Sequence, residues 1–316
     1  MPYTLTPSIR GAVAVTALAL SLVPASAGRA SPALELRTRT IYVSVTDKNG
    51  AALTDLQATD FEIKESGKPR DIVSAEEAKI PLRIALLDAD QGTGAFQLGL
   101  GHFMQKLLGH AEFALYSVIV QPEKLVDFSH DGRELSGGLS RLGPRGRQMG
   151  AQLMEAIQDA TKDVQHEDRR PAIVVMRLGG EAATSITGDD LLNQLRKSGA
   201  VLYVVSGAGA QGAAPSQARG TDAVSVQQGQ LRDAELAEGA FALAKVLGDG
   251  SKESGGRHDQ VIATTHAKAL EQVAEELLHQ YEIKYVLPDG VKPSDKISVS
   301  TKRKGVTIHA PSRVPN

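Results

Sequence analysis

The chain has 316 residues, 35 basic and 37 acidic side chains, a formal net charge of −2 and no cysteine. That composition excludes disulfides, thiol catalysis and thiolate metal sites. With no basic stripe, no tryptophan and aromatics at 4 %, the chain also carries no electrostatic footprint for nucleic acid and no platform for stacking sugars.

In chain order, Arg10 precedes an apolar run over residues 11–23, followed by the small-residue signal Ala25-Ser26-Ala27. This is the layout of a secretory signal peptide, residues 1–27. The run is short for a bilayer span, and no later segment is apolar and long enough to be one. The expectation is an exported chain, periplasmic or extracellular, with no membrane span after signal cleavage.

Residues 28–36 read as a flexible leader. Residues 37–46 (RTRTIYVSVT) alternate polar and apolar as a half-buried strand does. Asp47-Lys48-Asn49-Gly50 is a turn signal, because Asn-Gly tolerates positive φ. Residues 60–64 and 71–75 read as short strands around a second turn, Glu65-Ser66-Gly67-Lys68.

From Pro81 the period changes. Residues 82–87 are continuously apolar, as are 172–176 and 200–205, which fits strands buried on both faces. Helical patterns cover 95–108, 131–142, 148–164, 189–198, 231–247 and 264–279, and 112–120 with 124–128 suggests a hairpin. Gly-rich stretches at 207–220 and 248–256 read as surface loops. After 281 the alternation returns, over 281–287, 296–301 and 305–310.

Strands alternating with helices predict an α/β fold with a mostly parallel sheet and helices on both faces. The predicted division is a Rossmann-like domain over 80–280, inserted between β segments 37–78 and 281–310, with a tail at 311–316. Neither β flank is large enough to hold a core alone, so the two are expected to form one small β-sandwich.

Residues 83–92, RIALLDADQG, deliver Asp88 and Asp90 to the C-terminal end of a central strand. Ligands bind at that end in open α/β sheets, and carboxylates two apart there can begin a Mg²⁺ or Ca²⁺ site. The other reading is that they cap the helix near Ala95 or bind backbone amides. Histidines 102, 110, 258, 266 and 279 lack the HExxH phrase and read as surface or capping residues. No glycine stretch fits a phosphate loop, and no serine sits in a G-x-S-x-G elbow, so no catalytic residue is assigned.

The phrases VSVTDKNGAALTDLQATDFEIKESGKPRDI, RIALLDAD, GAQLMEAI, AIVVMRLGGE, AVLYVVS and ALEQVAEELLHQYEIKYVLPDG occur in that order. In this the chain, from Thr38 to Ala310, resembles bacterial proteins related to von Willebrand factor type A, of the acidobacterial kind. The resemblance implies a Rossmann-like type A domain that serves as a ligand-binding or protein-interaction module. It also implies a metal-ion-dependent adhesion site built from D-x-S-x-S, a Thr and a distant Asp. Asp88 matches the first Asp. Asp90 stands at the first Ser, Gly92 at the second, Ala151 at the Thr and Gly179 at the last Asp. The site is therefore degenerate, with Asp88 and Asp90 as its remaining metal candidates and no obligatory cofactor expected. Glu181 lies two residues beyond Gly179, and Arg145 and Arg147 belong to the loop that would bear the missing Thr; these three form the expected partner-binding edge. The implied function is a non-catalytic adhesion-type module for a protein partner. The alternative is a metal-dependent binder or hydrolase using Asp88 and Asp90.

Overall fold

The computed structural model describes residues 37–144, 152–179, 184–207 and 223–315. The chain enters as β1 (Thr38–Asp47), then β2 (Phe61–Glu65), β3 (Lys68–Arg70) and β4 (Ile72–Glu77). The β2–β3 hairpin turns through Ser66 and Gly67, both at positive φ. Next come β5 (Leu82–Ala89), α1 (Gln97–Leu107), β6 (Ala111–Val118), β7 (Pro122–Ser129), α2 (Gly132–Ser140) and α3 (Leu153–Asp163). After these follow β8 (Arg170–Arg177), α4 (Gly188–Ser198), β9 (Val201–Gly207), α5 (Ala223–Lys245), a π-turn (Val246–Gly250) and α6 (Ser251–Ser254). The chain ends with β10 (His258–Val261), α7 (His266–Leu278), β11 (Tyr281–Val286), β12 (Ile297–Thr301) and β13 (Val306–His309).

The continuous apolar runs become β5, β8 and β9, the inner strands of a six-stranded sheet ordered β10-β9-β8-β5-β6-β7. All its pairings are parallel except that of β6 with β7, the expected hairpin. Alternate side chains of each strand feed two separate cores, as the period of two requires. One face sends Leu82, Ile84 and Leu86 against Phe103 of α1 and Leu270 of α7. The other sends Ala85 and Leu87 against Ile157 of α3 and Leu191 of α4. This α/β architecture, with helices on both faces, is the predicted one.

The flanking strands interleave. β11 from the far end of the chain lies between β1 and β4 in a four-stranded sheet, β13-β1-β11-β4. β12 joins β2 and β3 in a three-stranded sheet. Ile41, Val43, Tyr281 and Tyr285 of the first share one core with Phe61, Ile63 and Ile297 of the second. Glu65 at the end of β2 is fully buried and is held ionised by the Ser294 amide and by Arg39 and Arg70, against the cost of its burial. A further polar joint links this region to the central sheet. The buried carboxylate of Glu276 on α7 pairs with Arg257 and accepts hydrogen bonds from His309 Nδ1 of β13 at 2.9 Å and from the Tyr203 hydroxyl of β9 at 3.3 Å.

Several expectations are corrected. Residues 248–256 are not a mobile loop: the π-turn and α6 occupy them, with Ser251 buried. The glycines there serve close packing. A Cβ on Gly256 would stand 2.0 Å from the Leu202 carbonyl oxygen. β10 was not foreseen, because HDQV carries no apolar run; it is a short edge strand. α5 is described from Ala223, earlier than the pattern suggested, and α3 from Leu153, residues 148–151 of the predicted helix lying outside the described residues. His266 is buried, with its ring 4.6 Å from that of Phe96, so it is a core residue and not a surface one. Residues 1–36, which hold the signal and leader readings, lie outside the described residues, as does the 208–222 stretch.

Candidate functional site

The C-terminal edge of the central sheet is where its polar side chains collect. β5 has β6 on one side and β8 on the other, so the strand order reverses at β5, the point at which open α/β sheets bind their ligands. Each inner strand there changes from apolar to polar at its last residues. Asp88 of β5 stands in register with Ser117 of β6 and Met176 of β8. Arg177 of β8 stands in register with Ser206 of β9, on the opposite face of the sheet.

Asp88 and Asp90 are both buried, but they sit differently. Asp88 is still within the strand. Asp90 begins the following loop, which turns sharply through Gln91, Gly92 and Gly94, all at positive φ. The carboxylate of Asp90 organises that loop. Its Oδ1 accepts from the backbone amides of Gly92 at 2.8 Å and Thr93 at 3.3 Å. Its Oδ2 accepts from the Ala95 amide at 2.8 Å and from the Thr93 hydroxyl at 3.1 Å. A side chain short enough to bond its own following amides is what Asp supplies in turns.

This geometry bears on the cation that the resemblance implies. A Mg²⁺ shell needs oxygens whose lone pairs face the ion. Each Asp90 oxygen already accepts two hydrogen bonds from its own loop. Gly92 and Gly179 bring no side-chain oxygen, and among the described residues no group of three or more carboxylates and histidines is gathered as a metal site would need. At Asp90, Gly92 and Gly179 the described residues offer a cation no uncommitted side-chain oxygen. Ala151, Arg145, Arg147 and Glu181 lie outside the described residues.

Three further edge residues, Arg177, Ser206 and His258, were not assigned to the site from sequence, where His258 reads as a surface or capping residue and Ser206 lacks a nucleophile's context. Ser206 Oγ lies 2.7 Å from His258 Nε2, across β9 and β10. Burial holds the His258 imidazole below its usual range, against the pull of Asp259 and with a push from Arg177. Burial also lowers the Arg177 guanidinium from its ordinary value. A serine beside a histidine suggests a nucleophile pair, yet a working pair needs a third group to orient the base. Asp259 is committed to Arg257 at 2.6 Å, and among the described residues no carboxylate hydrogen-bonds His258. Ser206 is also buried. The signal that could have marked these residues is the polar end of an apolar strand: AIVVM followed by Arg177, AVLYVV followed by Ser206.

No protein-family model matches the chain, and no curated protein matches it. Solved structures do. The von Willebrand factor type A protein from Catenulispora acidiphila is similar at 10 % identity, over 89 % of this chain and 75 % of that one, with a TM-score of 0.42. The vWF domain of the type V pili tip protein Mfa5 from Porphyromonas gingivalis is similar at 11 % identity, over 63 % of this chain and 96 % of that one, with a TM-score of 0.40. Proximal thread matrix protein 1 from the mussel byssus is similar at 10 % identity over 65 % of this chain, with a TM-score of 0.42; the match spans about half that protein, 49 %. Von Willebrand factor type A domains are thus among the solved structures that this chain is similar to.

Proposed function

We propose that this chain is an exported, non-catalytic interaction module of adhesion type that engages a protein partner at the C-terminal edge of its central sheet without depending on a bound metal. The observation that carries the reading is the commitment of both Asp90 oxygens to the loop that follows. A carboxylate so engaged shapes a rigid surface and is not a ligand in waiting. The edge offers a partner the part-exposed Arg177 and His258, which stand over the buried Ser206, Asp88 and Ser117. Charged and hydroxyl groups of this kind recognise acidic and amide side chains. Export is supported by the apolar run at 11–23 and by Ala25-Ser26-Ala27. Among the described residues no helix is long and apolar enough to cross a membrane.

The test is capture of a partner from the native envelope fraction on the immobilised chain, with Mg²⁺ or with chelator. One bound protein should be retained equally in both and lost with Arg177→Ala. Loss of that protein on chelation would overturn metal independence, and unchanged retention by Arg177→Ala would overturn the assignment of the edge.

A further inference from the structure

The opposite, N-terminal edge of the central sheet holds a cavity of about 530 Å³. That size lies in the range of small-molecule sites. Its wall is largely apolar, with Leu192 and Leu195 of α4, Val201 of β9 and Val314 near the chain end. Arg170, the first residue of β8, also lines it, with the Tyr42 ring 5.6 Å from its guanidinium and Gln280 hydrogen-bonded to it.

Arg170 is 5 % exposed. Its Nε donates to the Ile80 carbonyl at 2.7 Å, and its Nη1 donates to the Leu277 carbonyl at 3.2 Å and to Gln280 Oε1 at 2.8 Å. None of these bonds uses Nη2. Among the described residues Arg170 forms no ion pair. The other arginines on the wall differ: Arg196 pairs with Glu253, Arg313 with Asp295 and Arg169 with Glu112. A buried guanidinium hydrogen-bonded only to neutral acceptors is costly even with Glu282 and Glu77 acting on it from a distance, and a planar donor on the wall of an apolar cavity is matched by a carboxylate.

We propose that this cavity binds a small amphiphilic carboxylate, its head on Arg170 and its apolar body along Leu192, Leu195, Val201 and Val314. The site is separate from the Asp88 edge, so failure of one assignment leaves the other standing.

Isothermal titration of the full chain with octanoate tests it, with octanol and acetate as probes of the body alone and the head alone. Octanoate should bind saturably, one per chain, and at least tenfold more tightly than either control. Arg170→Gln should weaken octanoate at least tenfold. Because that variant alters a buried residue, a second one, Thr40→Trp, places a bulky ring on the cavity wall from an exposed position on β1, and it should also weaken octanoate at least tenfold with an unchanged melting temperature. No saturable binding of octanoate, equal binding of octanol, or full binding by folded Thr40→Trp would overturn the proposal.

Discussion

At the scale of single residues, Asp90 is decisive. It accepts four hydrogen bonds within five residues of itself, and removing an acceptor that holds buried donors costs about 1–3 kcal/mol. Asp90→Ala should lower stability by about that amount in urea unfolding, equally with Mg²⁺ and with chelator. The histidines give a second expectation. Burial holds His258 and His266 below the ordinary imidazole value of 6.5. Groups depressed in this way bind protons more readily when unfolded, so they contribute stability that is complete above pH 6.5 and lost as pH falls through their folded values. Urea midpoints should therefore fall between pH 7.5 and pH 5.5, and His266→Phe should flatten that fall. The sequence made Asp88 and Asp90 legible because two carboxylates end an apolar run. It could not show that Asp90 would spend its oxygens on its own loop, since that depends on the positive φ of Gln91, Gly92 and Gly94. Nor could it bring His258 to Ser206, because 52 residues separate them and the strand that carries His258 has no apolar signature.

At the scale of elements, α2 offers a paired test. Gly137 and Gly138 are neighbours in this helix, yet a Cβ on Gly137 would meet nothing within 4 Å, whereas one on Gly138 would stand 2.1 Å from Val126 Cγ2 of β7. Gly137→Ala should stabilise the protein by roughly 0.5–1 kcal/mol through helix propensity. Gly138→Ala should destabilise it by roughly 1–3 kcal/mol through overpacking. Thermal unfolding of the two variants reads the difference in sign. The apolar runs of β5, β8 and β9 were legible, because strands buried on both faces need no alternation. The π-turn and α6 were not, because glycine signals a loop in one dimension and a close approach in three. Gly250 lies against Leu192, Leu195 and Leu202.

At the scale of the whole molecule, the two ends of the chain depend on each other. β11 pairs with both β1 and β4, and Glu276 ties α7 to β13 through His309. Glu276→Ala removes the buried acceptor shared by Arg257, His309 and Tyr203, while Arg257 keeps Asp259; leaving buried donors unmet costs about 1–3 kcal/mol, and chemical denaturation should show a loss of that order. The return of alternation after residue 281 made this shared core legible from composition and period alone. The interleaved strand order was not, since it is set by pairing between residues more than 200 apart. The central claim is that the edge above β5 is a binding surface that needs no cation, and thermal unfolding of the full chain with millimolar Mg²⁺, Ca²⁺ or Mn²⁺ against chelator tests it most directly. The expected result is the same melting temperature in all four conditions, for the native chain and for Asp88→Ala alike. A saturable rise with one cation that disappears in Asp88→Ala would contradict it.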